Sequence, residues 1–405
     1  MLKKTILDNG LTIVSEKRNF KNVSMGIFVK TGLINETVEN NGISHLVEHM
    51  LFKGTETKSA FDLVNEIEKI GGECNAYTSD VSTCFYVNVL PSYWQTGLNF
   101  LLDIIQHSTF PEAELNKEKE VVIQEIARAY DNIETMVWYD LQKTIYKNQP
   151  LERTILGSAE NVLNFTRKDL LEYVKKWYTP NNIIISVAGN IKHEEVVEYI
   201  KENWVIDSKR TSELKTIEYL NNSGTYEEDF DQAHVIVSLK GMPLTNEKDL
   251  LFYYLYTYIM SGGMSSKLFQ ELREKHGLVY STYMVSDFFE TTGFFGVYAG
   301  IDEKNINKTI EVIKNLLRES KSNITEDELS KAKNMMLFNI SMKSDNAYAA
   351  MTSNSNVVRY NLTYKSYAKI KKEIEHITLK DINYFTNKYI TEDFNTLIVK
   401  PKGKE

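Results

Sequence analysis

The chain has 405 residues, 42% apolar and 25% charged, the balance of an ordinary folded protein of two or three domains and not of a disordered chain, a collagen or a coiled-coil rod. Its net charge of −8, from 55 acidic and 47 basic side chains, repels phosphate backbones, and no basic patch offsets it, so no nucleic-acid partner is expected. Cys74 and Cys84 are too few for a disulfide framework, the opening MLKKTILDNGLTIV lacks the apolar core of a signal peptide, and the apolar stretch near Leu250–Met260 is too short to span a bilayer, so a soluble, cytoplasmic protein with two free thiols and no membrane partner is expected.

Taken in chain order, Lys4–Leu7 and Leu11–Ser15 flank Asp8-Asn9-Gly10, a strong hairpin signal. A strand at Ser24–Lys30 ends at Thr31-Gly32. Helices are predicted at Gly42–Phe52 and Ala60–Ile70, the second closed by Gly71-Gly72. Strands follow at Glu73–Ser79 and Thr83–Leu90, then helices at Ser92–His107, Pro111–Tyr130, Thr135–Tyr146 and Asp169–Trp177. A buried strand at Asn182–Ala188 and a helix at His193–Asn203 close the first half. Ser208–Gly224 is polar and aperiodic and reads as a linker, which gives a first domain over 1–207, a linker over 208–224 and a second domain over 225–405.

Past the linker the order repeats. His234–Leu239 ends in Lys240-Gly241 as the earlier strand ends in Thr31-Gly32, and a helix at Asp249–Met260 follows. LVNEIEKIGG (Leu63–Gly72) is echoed by LFQELREKHG (Leu268–Gly277), each followed by two strands, the second pair at Val279–Ser286 and Gly293–Ala299. FPEAELNKEKEVVIQEI (Phe110–Ile126) is echoed by ITEDELSKAKNMMLFNI (Ile324–Ile340), and TRKDLLEYVKKWYTPNNIIISV by TLKDINYFTNKYITEDFNTLIV. One α+β unit is used twice, and positions that carry chemistry are free to differ between its copies.

The first copy contains His45-Leu46-Val47-Glu48-His49. Helical residues four apart lie about 40° apart around the axis, so His45, Glu48 and His49 share one arc. Two imidazoles at that spacing reach one tetrahedral Zn²⁺, and a carboxylate beside them is placed to take a proton from water on the metal. Such a trio can also be an exposed polar face, but Ile43, Leu46, Val47, Met50, Leu51 and Phe52 make this helix otherwise apolar. Three titratable groups on a largely buried helix imply a ligand. A catalytic zinc needs a third protein ligand. Glu118 and Glu125, seven residues apart, share one stripe of the Pro111–Tyr130 helix; alone they read as a solvated face. The repeat changes that reading, because Ala332 and Asn339 stand at the equivalent positions and DLLFYYLYTYIM holds no His and no Glu. The acids and imidazoles vanish together while the scaffold stays.

With these residues in view, the inverted motif H-x-x-E-H is the inverzincin signature, and the chain resembles the pitrilysin/insulinase family of zinc metallopeptidases over essentially its whole length. It is similar to the short branch that includes the catalytic subunit of mitochondrial processing peptidase. HLVEHMLFKGT, GGECNAYTS, EKEVVIQEI and SSKLFQELREKHGLVYS are family-like blocks in family order. The resemblance implies two homologous α+β roll domains, each a mixed sheet covered by helices. It implies a zinc endopeptidase with one Zn²⁺ per chain, bound by His45, His49 and Glu125. Glu48 is then the general base and Glu118 orients the site. Asn75 and Ala76 match the strand edge that pairs with peptide substrate, a role otherwise read as an ordinary edge strand. Phe52 matches an aromatic beside the pocket on the N-terminal side of the scissile bond; otherwise it is core. Arg273 and Tyr280 match an Arg–Tyr pair that contacts the substrate carbonyl and the tetrahedral intermediate; otherwise they are a surface charge and strand packing. Peptide substrates and a homodimer enclosing a chamber are expected. The family also contains catalytically silent peptide-binding or scaffold subunits, the main alternative; hydrolysis of a non-peptide amide is a weaker one.

Overall fold

The protein is described by a computed structural model covering residues 2–208 and 216–403. The first half runs β1 (Leu2–Ile6), β2 (Thr12–Lys17), β3 (Val23–Val29), α1 (Ile43–Leu51), α2 (Ala60–Glu68), β4 (Glu73–Thr78), β5 (Thr83–Val89), α3 (Trp94–His107), α4 (Glu112–Tyr130), α5 (Ile133–Ile145), α6 (Ala159–Asn164), α7 (Arg167–Trp177), β6 (Ile183–Gly189) and α8 (His193–Asn203). The second half runs β7 (Gly224–Glu228), β8 (Ala233–Lys240), α9 (Glu247–Ser261), β9 (Val279–Phe288), β10 (Gly293–Ile301), α10 (Ile306–Glu319), α11 (Glu326–Ser344), α12 (Ala347–Arg359), α13 (Tyr367–His376), α14 (Leu379–Tyr389) and β11 (Asn395–Pro401).

The strands form two mixed sheets. The first has the order β1-β2-β6-β3-β5-β4, with β2 and β6 parallel and the other neighbours antiparallel. The second has the order β7-β11-β8-β10-β9, with only β7 and β11 parallel. Reading β7 as β2, β11 as β6, β8 as β3, β10 as β5 and β9 as β4, the orders coincide, so the expected α+β fold with a duplicated unit is the fold observed. Central β3 is buried at every residue, which is why VSMGIFV is apolar with no polar face. β4 and β9 are edges, each paired on one side only.

Two compact units surround these sheets. The first comprises Met1–Asp131, Arg153–Lys215 and Lys343–Tyr364; the second comprises Asn132–Glu152, Thr216–Met342 and Lys365–Glu405. The units interleave along the chain, whereas the sequence reading divides it contiguously. The interleaved pieces are equivalent helices: α5 follows α4 as α12 follows α11. In the first unit α12 lies on β2, β3 and β6, and in the second α5 lies on β7 and β11. On the first sheet Met351 is fully buried, and a Cβ on Gly26 would stand 2.8 Å from its Sδ, so a glycine lets the helix approach. Ser186 Oγ donates to the Met351 carbonyl at 2.7 Å, and Asn354 Nδ2 to Glu16 at 3.0 Å.

Of the expected linker 208–224, residues 209–215 lie outside the described residues. Residues 216–224 belong to the second unit. Ile217 and Tyr219 are buried, the Ile217 N–H and carbonyl both bond the Thr291 hydroxyl at 3.3 and 3.1 Å, and β7 begins at Gly224. Phe269–Lys275 is a π-helix, and Leu272 within it and Leu268 just before it are both fully buried. No helix among the described residues is long and apolar enough to cross a membrane.

Candidate metal centre

The motif helix α1 is amphipathic in the strict sense. Ile43, Leu46, Val47, Met50 and Leu51 are each at most 3% exposed, at the i, i+3, i+4, i+7, i+8 positions of a core-facing stripe. Each buried side chain contributes about 1.5–3 kcal/mol, which anchors the helix and leaves His45, Glu48 and His49 on the opposite arc. Its N-terminus is fixed by an acid that the sequence reading did not single out. Glu36, 1% exposed, accepts from the Gly42 and Ser44 N–H groups at 2.8 and 2.9 Å and from Asn41 Nδ2 at 2.8 Å. A carboxylate on the open N–H groups satisfies them and complements the helix dipole. Burial raises the Glu36 pKa, and these hydrogen bonds oppose the rise. Gly42 starts the helix at φ +99°, where a Cβ would also meet the Leu156 carbonyl at 2.7 Å.

On α4 the buried stripe is Leu115, Glu118, Val122 and Ile126, so one carboxylate sits among apolar side chains. Glu118 Oε2 accepts from His49 Nδ1 at 2.9 Å, and Oε1 pairs with Lys53 Nζ at 2.7 Å. Burial would raise the Glu118 pKa, but the contacts with Lys53 and His49 outweigh it and hold it below the usual value. A carboxylate only accepts, so His49 Nδ1 is the donor in this contact, which leaves Nε2 to face Glu125. Glu125 lies two turns further on. Its Oε2 is 3.6 Å from His45 Nε2 and 3.7 Å from His49 Nε2.

Ligand atoms of His45, His49 and Glu125 all lie within 4.8 Å of one another. Around a tetrahedral Zn²⁺ with bonds of about 2.0–2.1 Å, ligand atoms stand about 3.3 Å apart. The two separations from Glu125 Oε2, 3.6 and 3.7 Å, exceed that by a few tenths of an ångström, and two imidazoles with one carboxylate form a catalytic zinc donor set. Burial, with the neighbouring His49, pushes the His45 pKa down to about 3, which keeps the ring neutral and its lone pair available. The residues present fit the ion. The Glu125 side chain is 41% exposed, so the set opens to solvent on that side.

Glu48 is largely enclosed. Its pKa is raised by burial; the Thr78 hydroxyl, which donates to Oε2 at 2.5 Å, and His49 offset part of the rise, and Glu125 adds to it. Thr78 ends β4, the edge strand that carries Asn75 and Ala76; Asn75 is exposed and Ala76 packs against the core. Phe52, just past α1, is partly buried with its ring centroid 6.1 Å from Phe85 and 6.3 Å from Phe100. Arg273 and Tyr280 belong to the second unit. They are brought to each other, the guanidinium donating to the Tyr280 carbonyl at 3.2 Å, and the Tyr280 side of the pair is 57% exposed. In the repeat, Ala332 is buried and Asn339 Nδ2 donates to Tyr258 Oη at 2.8 Å, with no acid at either position. Sequence reasoning missed Glu36, Lys53 and Thr78. Lys53, four residues after His49, and Thr78, at the end of the edge-strand block, carried a positional signal; Glu36 carried none.

Residues 12–159 match the family model described as Insulinase (Peptidase family M16), and residues 164–336 match one described as Peptidase M16 inactive domain. A Bacillus subtilis protein named "Uncharacterized zinc protease YmxG" is 33% identical over 408 residues, covering 100% of this chain and 99% of its own. An Arabidopsis thaliana protein named as a probable mitochondrial-processing peptidase subunit beta is 31% identical, over 95% of this chain and 76% of its own. A crystal structure described as a protease from Helicobacter pylori shares the fold, with a TM-score of 0.90 over 99% of each chain at 21% identity. A relative of such identity along the full length, two matching models and a shared two-sheet fold lead to one conclusion: this chain belongs to the insulinase family of peptidases, family M16.

Proposed function

We propose that this chain is a zinc-dependent endopeptidase acting on extended or unfolded peptides, with one Zn²⁺ held by His45, His49 and Glu125. One observation carries the reading: two imidazole nitrogens and a carboxylate oxygen converge within 4.8 Å, with Glu48 on the same helical arc. When bound there, the ion acidifies water and polarises a carbonyl. The remaining work falls to side chains. Glu48, made more basic by burial, takes the proton of the attacking water and passes it to the leaving amine. Glu118 holds the His49 ring so that Nε2 faces Glu125. The free edge of β4 at Asn75 and Ala76 pairs with substrate backbone, which favours unfolded chains, and Phe52 borders the pocket before the scissile bond. Arg273 and Tyr280 donate to the substrate carbonyl as its oxygen gains charge. The working form is a homodimer in which these two residues serve the partner's Glu48. Unbridged Cys74 and Cys84 support a reducing compartment, the cytoplasm.

Mass-spectrometric mapping of cuts in a proteome-derived peptide library tests the reading. Internal cuts that stop with a chelator and return with zinc are expected. Zinc-loaded protein that cuts nothing would leave it a peptide-holding subunit.

A further inference from the structure

We infer that Lys53 is a positioning residue of the metal centre, acting through Glu118 to aim the His49 ring; the inference rests on the zinc reading above. The Glu118 side chain is 8% exposed and its two oxygens have divided tasks: Oε1 pairs with Lys53 Nζ at 2.7 Å and Oε2 accepts from His49 Nδ1 at 2.9 Å. Both partners come from one piece of chain. Lys53 is four residues beyond His49, and its N–H donates to the Met50 carbonyl at 3.1 Å, which ties its backbone to the last turn of α1. The carboxylate of α4 is thus gripped at both ends by α1. A carboxylate held at one oxygen only still turns about its last bond. Held at both, it delivers Oε2 to one place, and the imidazole that leans on it has one orientation.

The alternative is that Lys53 merely balances charge. Glu48, Glu118 and Glu125 are three carboxylates around two imidazoles, and Lys53 is a cation that touches one of them. The two roles predict opposite signs. By Coulomb's law alone, deleting a cation from this surrounding draws a divalent ion in more tightly. Loss of positioning weakens binding, because an imidazole free to swing off the ligand direction must be ordered again when the ion arrives. A buried carboxylate oxygen left without its donor also favours a different side-chain arrangement. Groups that orient a ligand in this way typically change metal affinity by about 10–100-fold. The carboxylate is a shared element, so the effect of Lys53 should exist only while Glu118 is there to transmit it.

The test is a double-mutant cycle on zinc affinity in the full-length protein, measured by competition with a chromophoric chelator. Lys53→Met should weaken Zn²⁺ binding by about tenfold. Lys53→Arg, which can still grip Oε1, should recover most of it. In the Glu118→Gln background, Lys53→Met should change affinity by less than about twofold, the signature of action through a shared partner. Unfolding of each metal-free variant separates lost positioning from lost fold. Wild-type affinity or tighter binding in Lys53→Met overturns the inference while leaving the zinc reading intact. So does an equal loss in both backgrounds. If the wild-type chain holds no stoichiometric zinc, or holds it as well after His45→Ala and His49→Ala, the zinc reading fails and this inference falls with it.

Discussion

His45 and Glu48 stand three residues apart on one arc of α1, and burial moves their protons in opposite senses. The imidazole is pushed down to about 3 and stays neutral, while the carboxyl is pushed up, tempered by the Thr78 hydroxyl. Glu48→Gln keeps the size of the side chain and removes the proposed base, so it should retain zinc while turnover falls at least about a hundredfold. Metal analysis beside a steady-state assay checks this, and near-normal turnover would assign the base elsewhere. Asp80, in the turn after β4, makes a separate prediction. Burial raises its pKa from 3.8 to about 6, and its Oδ1 has no hydrogen-bond partner among the described residues. The folded state therefore binds this proton more tightly than the unfolded chain. Its contribution to stability is fully present below about pH 4 and is lost as pH rises through 6, a loss of about 3 kcal/mol. Asp80→Asn should raise Tm at pH 8 and leave it nearly unchanged at pH 4; an equal shift at both would exclude a titrating cause. His45, Glu48 and His49 were legible in the sequence because helical spacing alone puts them together. Lys53 and Thr78 were legible only by position; their partners were not, because those are set by how α4 and β4 pack on α1.

At the scale of elements, most strands and helices were readable from local period and turn residues, and the strand order of the second sheet repeats that of the first. The exchange of α5 and α12 was not readable. A hydrophobic stripe shows that a face is buried but not against which sheet, and α12 falls in a stretch where the repeat offers no matching block. The polar composition of 208–224 also hid Ile217 and Tyr219, two buried side chains in a segment expected to be a linker. The exchange makes a prediction. Met351 lies late in the sequence yet is fully buried on the first sheet above Gly26. Met351→Ala should destabilise the first unit, which carries the candidate metal centre, by about 2–5 kcal/mol, the range for buried large-to-Ala changes. Denaturant unfolding followed by zinc release reads this out. Unchanged zinc release would mean that α12 adds nothing to that unit.

At the scale of the whole molecule, the duplicated chain divides its chemistry. The metal-ligating and proton-transfer candidates belong to one unit, Arg273 and Tyr280 to the other. If the working form is a homodimer with composite sites, Glu48→Gln and Arg273→Ala dimers should each be nearly inactive. Mixing them with subunit exchange should restore about a quarter of wild-type activity, because half the dimers pair randomly into hybrids with one intact site of two. Exchange confirmed by native mass spectrometry without recovery would exclude shared sites. The proposed activity depends on whether His45, His49 and Glu125 hold zinc. The most direct measurement is the zinc content of the purified chain beside that of His45→Ala/His49→Ala, by elemental analysis with protein quantified in the same sample. About one Zn²⁺ per wild-type chain and none in the double variant are expected; stoichiometric zinc persisting in the double variant would contradict the ligand assignment.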